Sequence, residues 1–141
     1  PASVRLLFTA HSLPTRILAD GDPYPDELRT SVEGVLARLG RKDARIAYQS
    51  AGRSAEPWLG PEAEVVVREL AAEGARDILI CPIGFVSDHL EVLYDVDVEL
   101  QQVARELGIR LERTESLNDD PRFTEALADL VRTTAAEAGW A

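Results

Sequence analysis

Apolar residues along the chain fall into two alternating rhythms, short dense runs and longer stretches spaced by three or four. Residues 4–10, 45–50 and 78–83 are dense runs of the kind that form strands covered on both faces. A weaker run at 109–114 has the character of an edge strand. Between the first two runs, Leu28, Val32, Val35, Leu36 and Leu39 predict a helix closed by Gly40. Pro61 can open a second helix, which carries Val65, Val66 and Leu70 and ends at Gly74. Leu93, Val96, Leu100, Val103 and Leu107 mark the buried face of a long helix closed by Gly108. Asp120-Pro121 starts a last helix through Phe123, Leu127, Leu130 and Val131.

The order βαβαβαβα predicts one α/β domain over residues 1–141. Its expected fold is a doubly wound, four-stranded parallel sheet with helices on both faces and right-handed crossovers. Ligands of such sheets sit beyond the carboxyl ends of the strands. That rule directs attention to the loops at 11–25, 51–60 and 84–91.

Charge and composition narrow the partners. With 25 acidic against 15 basic side chains, the formal net charge is −10, the wrong sign for a phosphate-backbone surface. No nucleic-acid partner is expected. A single cysteine excludes an internal disulfide, a zinc knuckle and a self-contained iron–sulfur site. No apolar run approaches the roughly 20 residues that span a bilayer, so the expected location is the cytoplasm. The chain has no methionine and enters an apolar run by its fourth residue. Those two features together lead us to expect a fragment, or the C-terminal half of something longer.

The local motifs of several enzyme classes are missing. There is no G-x-G-x-x-G after the first strand, no Walker-type G-K-[ST] and no G-x-S-x-G elbow. A nucleotide cofactor is therefore not expected. His11 follows the first strand, where an imidazole can ligate metal, accept a proton, or simply bond to the backbone. Glu91, Asp95 and Glu99 lie four apart at the start of the long helix. Each such step turns an ideal helix by about 400°, so the three drift while sharing one side. Like charges at this spacing repel, yet a solvated acidic face explains the stripe equally well. A π-type bulge would line the carboxylates up more closely. One imidazole with several carboxylates suits a hard or borderline divalent cation. Of the remaining candidates, His89 and Cys81 read as structural, Asp88 as a helix cap, and Trp58 as a loop anchor or the flank of a flat ligand.

Five ordered blocks carry a resemblance. These are Thr9-Ala-His-Ser-Leu-Pro14, Gly21-Asp-Pro-Tyr-Pro25, Tyr48-Gln-Ser50, Pro57-Trp-Leu-Gly-Pro61 and the fourteen residues from Pro82 to Asp95. Together they resemble the C-terminal half of ferrochelatases, with the best match to the soluble coproporphyrin type. The family inserts Fe²⁺ into a porphyrin during heme biosynthesis, with release of two pyrrole protons. The resemblance implies two similar α/β halves enclosing a porphyrin cleft, and a π-helical segment on the acidic helix. It places the family's histidine on His11 and its key glutamate on Glu91, as metal ligands or proton acceptors. Asp95 and Glu99 fall on the rest of its metal- and proton-handling stripe. The implied partners are Fe²⁺ as substrate and a porphyrin, coproporphyrin III or protoporphyrin IX. A missing N-terminal half or a second copy would complete the cleft. The iron–sulfur cluster of some relatives is not expected, because Cys81 cannot replace its cysteines. Two other readings stay open: a porphyrin- or metal-binding domain without turnover, and a small chelatase that works as a homodimer.

Overall fold

The computed structural model describes residues 3–140. Its four strands are β1 (Arg5–His11), β2 (Arg45–Gln49), β3 (Asp77–Cys81) and β4 (Arg110–Arg113). They form one all-parallel sheet in the order β2-β1-β3-β4. From β1 the chain moves outward to β2, then crosses back to β3 on the opposite side. This reversal creates a switch point between the carboxyl ends of β1 and β3, the crevice where open α/β sheets bind ligands.

Side-chain alternation along β1 divides the core. Leu6, Phe8 and Ala10 join Leu28 and Val32 of α2 (Tyr24–Leu39) on one face. Leu7 points the other way, among Val66, Val67 and Leu70 of α3 (Ala63–Ala72) and Val96, Leu100 and Val103 of the acidic helix. The expected two-faced α/β architecture is present. Both α2 and the acidic helix end on glycines in the left-handed region, Gly40 and Gly108, as their sequence positions predict.

Several boundaries differ from the expectation. A short α1 (Arg16–Ala19) lies within the first loop, and α2 begins at Tyr24, before Pro25. His11 is the last residue of β1 and not the first of the loop. The acidic helix is interrupted: α4 (Leu90–Tyr94) runs into a π segment (Asp95–Leu100) and then α5 (Gln101–Leu107). Leu93, expected in the core, is 40% exposed, while Val92 is fully buried. The π turn holds more residues than an α turn. Through it the buried register runs Val92, Val96, Leu100 in steps of four, and the core face sits one residue upstream of Leu93. The last helix, α6 (Pro121–Glu137), forms as expected but buries none of its residues. Among the described residues no helix is long and apolar enough to cross a membrane.

Candidate active site

The β1 backbone delivers His11 to the switch point. Its Nδ1 lies 2.5 Å from the Ser12 carbonyl oxygen. A carbonyl only accepts, so Nδ1 carries the hydrogen, and in the neutral imidazole Nε2 then presents its lone pair outward. Tyr24 donates to the His11 carbonyl at 2.9 Å. Burial raises the Tyr24 phenol pKa and so keeps that donor protonated. Ser12 is buried and doubly tied, its N–H to Gln49 O and its hydroxyl to Leu59 O, both at 2.7 Å. The histidine is thus fixed from three elements.

The loop after β3 closes against the same strand. Gly84 donates to Thr9 O at 3.1 Å, and a Cβ there would stand 2.6 Å from Ala10 Cβ and 2.8 Å from its Cα. Only glycine permits that approach. It seats the loop so that α4 starts beside His11, capped by His89, whose Nδ1 accepts from Val92 N–H at 3.2 Å. His89 is structural, as read. Asp88 is not the cap; it binds Ser116, Asn118 and Arg113.

From the first turn of α4, Glu91 Oε2 comes to 3.4 Å from His11 Nε2. A lone pair and a carboxylate facing each other form an arrangement that a proton or a divalent cation would bridge. Asp95 and Glu99 lie farther along the helix and line a separate cavity of about 450 Å³ with Tyr48, Gln49, Ser50 and Glu62. Among the described residues no three His, Cys, Asp or Glu side chains come close enough to hold a metal ion together. The four sequence candidates therefore fall into a histidine–glutamate pair and a second acidic station one helical turn away.

Two residues at that station belong to the Tyr48-Gln-Ser50 block, but the sequence assigned them no role. Ser50 has a left-handed backbone, φ 59°, and its hydroxyl donates to Asp95. Gln49 is 6% exposed, and neither polar atom of its amide has a partner among the described residues. Both follow from the end of β2 and not from helical spacing. Trp58 proves a loop anchor: its ring packs on Gly52 and its Nε1 donates to Ser54 at 3.0 Å. Cys81 is half-buried in β3, and burial pushes its thiol pKa up, away from reactivity. Near Glu91 in the sequence, Val86, Leu90, Leu93 and Tyr94 are substantially exposed.

A ferrochelatase family model matches residues 1–135. The ferrochelatase of Herpetosiphon aurantiacus is 53% identical over 135 residues, covering 93% of this chain and 44% of the relative. That of Deinococcus radiodurans is 46% identical over 136 residues, covering 95% and 43%. The coproporphyrin III ferrochelatase of Geobacillus kaustophilus is 44% identical over 135 residues, covering 95% and 43%. The chain thus spans less than half the length of these relatives. The fold is also that of a putative cobalamin (vitamin B12) biosynthesis CbiX protein from Marinobacter aquaeolei VT8. That likeness has a TM-score of 0.66 at 17% identity over 95% of this chain and 98% of the other. On the strength of a match running nearly end to end, the chain belongs to the ferrochelatase family.

Proposed function

We propose that this chain supplies the metal-handling half of a cytoplasmic ferrochelatase that inserts Fe²⁺ into coproporphyrin III. The observation that carries the reading is the convergence of His11 Nε2 and Glu91 Oε2 at 3.4 Å on the switch point of the sheet. The exposed Leu90 and Tyr94, on the same helix as Glu91, suit an apolar face of a flat macrocycle. A free-base porphyrin exchanges two pyrrole protons for the cation, so the site must accept protons while holding positive charge. The unprotonated Nε2 of His11 serves the first need and Glu91 the second. Asp95 and Glu99 continue the path from the pair into the acidic cavity, as stations for the incoming cation or the departing protons. Iron is substrate throughout, and neither an iron–sulfur cluster nor a nucleotide enters the scheme. The opposite wall of the cleft comes from an N-terminal half or from a second copy of this chain.

The test is anaerobic metallation of coproporphyrin III, followed by absorbance, with the oligomeric state read by gel filtration. Turnover that His11→Ala lowers by at least about a hundredfold supports the reading, and elution as a dimer identifies the second wall as another copy. Turnover unchanged in His11→Ala would overturn the assignment. A folded chain without turnover would mean that the site is only half present, with the opposite wall supplied by an N-terminal half.

A further inference from the structure

Arg113 ends the edge strand β4 and belongs to no motif, yet its guanidinium reaches both flanks of the site helix. Nε and Nη2 donate to the two carboxylate oxygens of Asp97 at 2.9 and 3.0 Å. Nη1 donates to Asp88 at 3.2 Å and to the Thr114 carbonyl at 3.1 Å. The side chain is only 15% exposed, and its bond to Asp97 leads the effects that raise its pKa. Asp88 immediately precedes the cap of α4, and Asp97 lies inside the π segment. Glu91 and Asp95 fall between the two clamped points, and Glu99 two residues beyond.

Two consequences follow from this placement. A π turn is a rare conformation, and a planar fork that binds Asp97 side-on fixes both the position and the rotation of that turn. The clamp also sorts the acidic residues. Of the carboxylates at 88, 91, 95, 97 and 99, Arg113 neutralises the first and fourth, while the other three form no ion pair with Lys or Arg among the described residues. We propose that Arg113 is a positioning residue: it holds the π turn in the register that aligns Glu91, Asp95 and Glu99, and it keeps Asp88 and Asp97 from competing for the cation. The second part rests on the proposed metal-handling role of the stripe; the first does not.

Hydrogen exchange and Zn²⁺ titration of the 141-residue chain test the two parts separately. The variants are Arg113→Gln, Arg113→Lys and the double variant Arg113→Gln/Asp97→Asn, which leaves no stranded carboxylate on the π segment. In the double variant, exchange of amides 95–100 is expected to rise about tenfold or more, with β1 and α5 unchanged. Zn²⁺ affinity is expected to fall about tenfold, the usual effect of losing a group that orients metal ligands. In Arg113→Gln alone, a second, weaker Zn²⁺ equivalent is expected at Asp88 and Asp97. Native exchange and native affinity in the double variant would overturn the proposal. Full rescue by Arg113→Lys would overturn it too, because one ammonium cannot bind Asp97 side-on while reaching Asp88. If the parent chain binds no Zn²⁺, the functional reading fails, and the exchange data still decide the register.

Discussion

Two helices of this chain carry similar apolar spacing and meet opposite fates. The helix running from Leu90 to Leu107 buries Val92, Val96, Leu100, Val103 and Ala104 against the sheet. The helix from Pro121 to Glu137 spaces Phe123, Leu127, Leu130 and Val131 as regularly and buries none of its residues. Periodicity reports that a helix has an apolar side, and the sheet decides whether that side finds a partner. The buried helix can therefore tolerate an irregular π turn, because packing on the core holds it on both sides of the interruption. The exposed helix relies on its cap and its own ion pairs, Arg132 with Glu125 and Asp129.

Truncation breaks the comparison most directly. Leu100→Ala, at 4% exposure, is expected to cost about 2–5 kcal/mol in urea unfolding. Leu130→Ala, at 64%, is expected to stay within about 0.5 kcal/mol. An equal cost for the two would mean that α6 packs on something in solution. Gly84→Ala comes next, with an expected cost of about 1–3 kcal/mol from forcing a methyl against Ala10. Because it lifts the loop that carries Asp88 and His89, it is also expected to lower metallation more than Leu130→Ala does.

Acid sharpens the contrast with a smaller effect. Hydrogen bonds, first from Asn118 and then from Ser116, hold the Asp88 carboxyl below the usual range. The Asp120 cap of α6, bonded to Arg122, lies at about 2. Each folded value is below the unfolded value of roughly 3.9. The stability each contributes is thus complete above that value and lost as pH falls through the folded one. Between pH 5 and 2, amide protection relative to intrinsic exchange is expected to fall first around residues 86–92 and last at the start of α6. Asp120→Asn is expected to leave the first change intact and alter only the second. Simultaneous loosening of both regions would show that they unfold as one unit.

The order of strands and helices, the parallel α/β class and the position of His11 at the boundary between β1 and its loop were legible in the sequence. Each depends on local patterning, since a dense apolar run, a capping glycine or a proline acts over a few residues. The acidic stripe was legible as a spacing, but its use was not. Only the order β2-β1-β3-β4 sets the β1 and β3 ends side by side and brings Glu91 to His11. Only the π segment shifts the buried register from Leu93 to Val92, because one wider turn rotates everything before it. His89 displaced Asp88 as the cap because Arg113, Ser116 and Asn118 already held that carboxylate, all of them on or beyond β4. Ser50 and Gln49 met the stripe across forty-odd residues of chain. Local periodicity records which residues are apolar and where elements start and stop. Which side chains face one another is set by long-range packing, and in this chain that is where the chemistry is assembled.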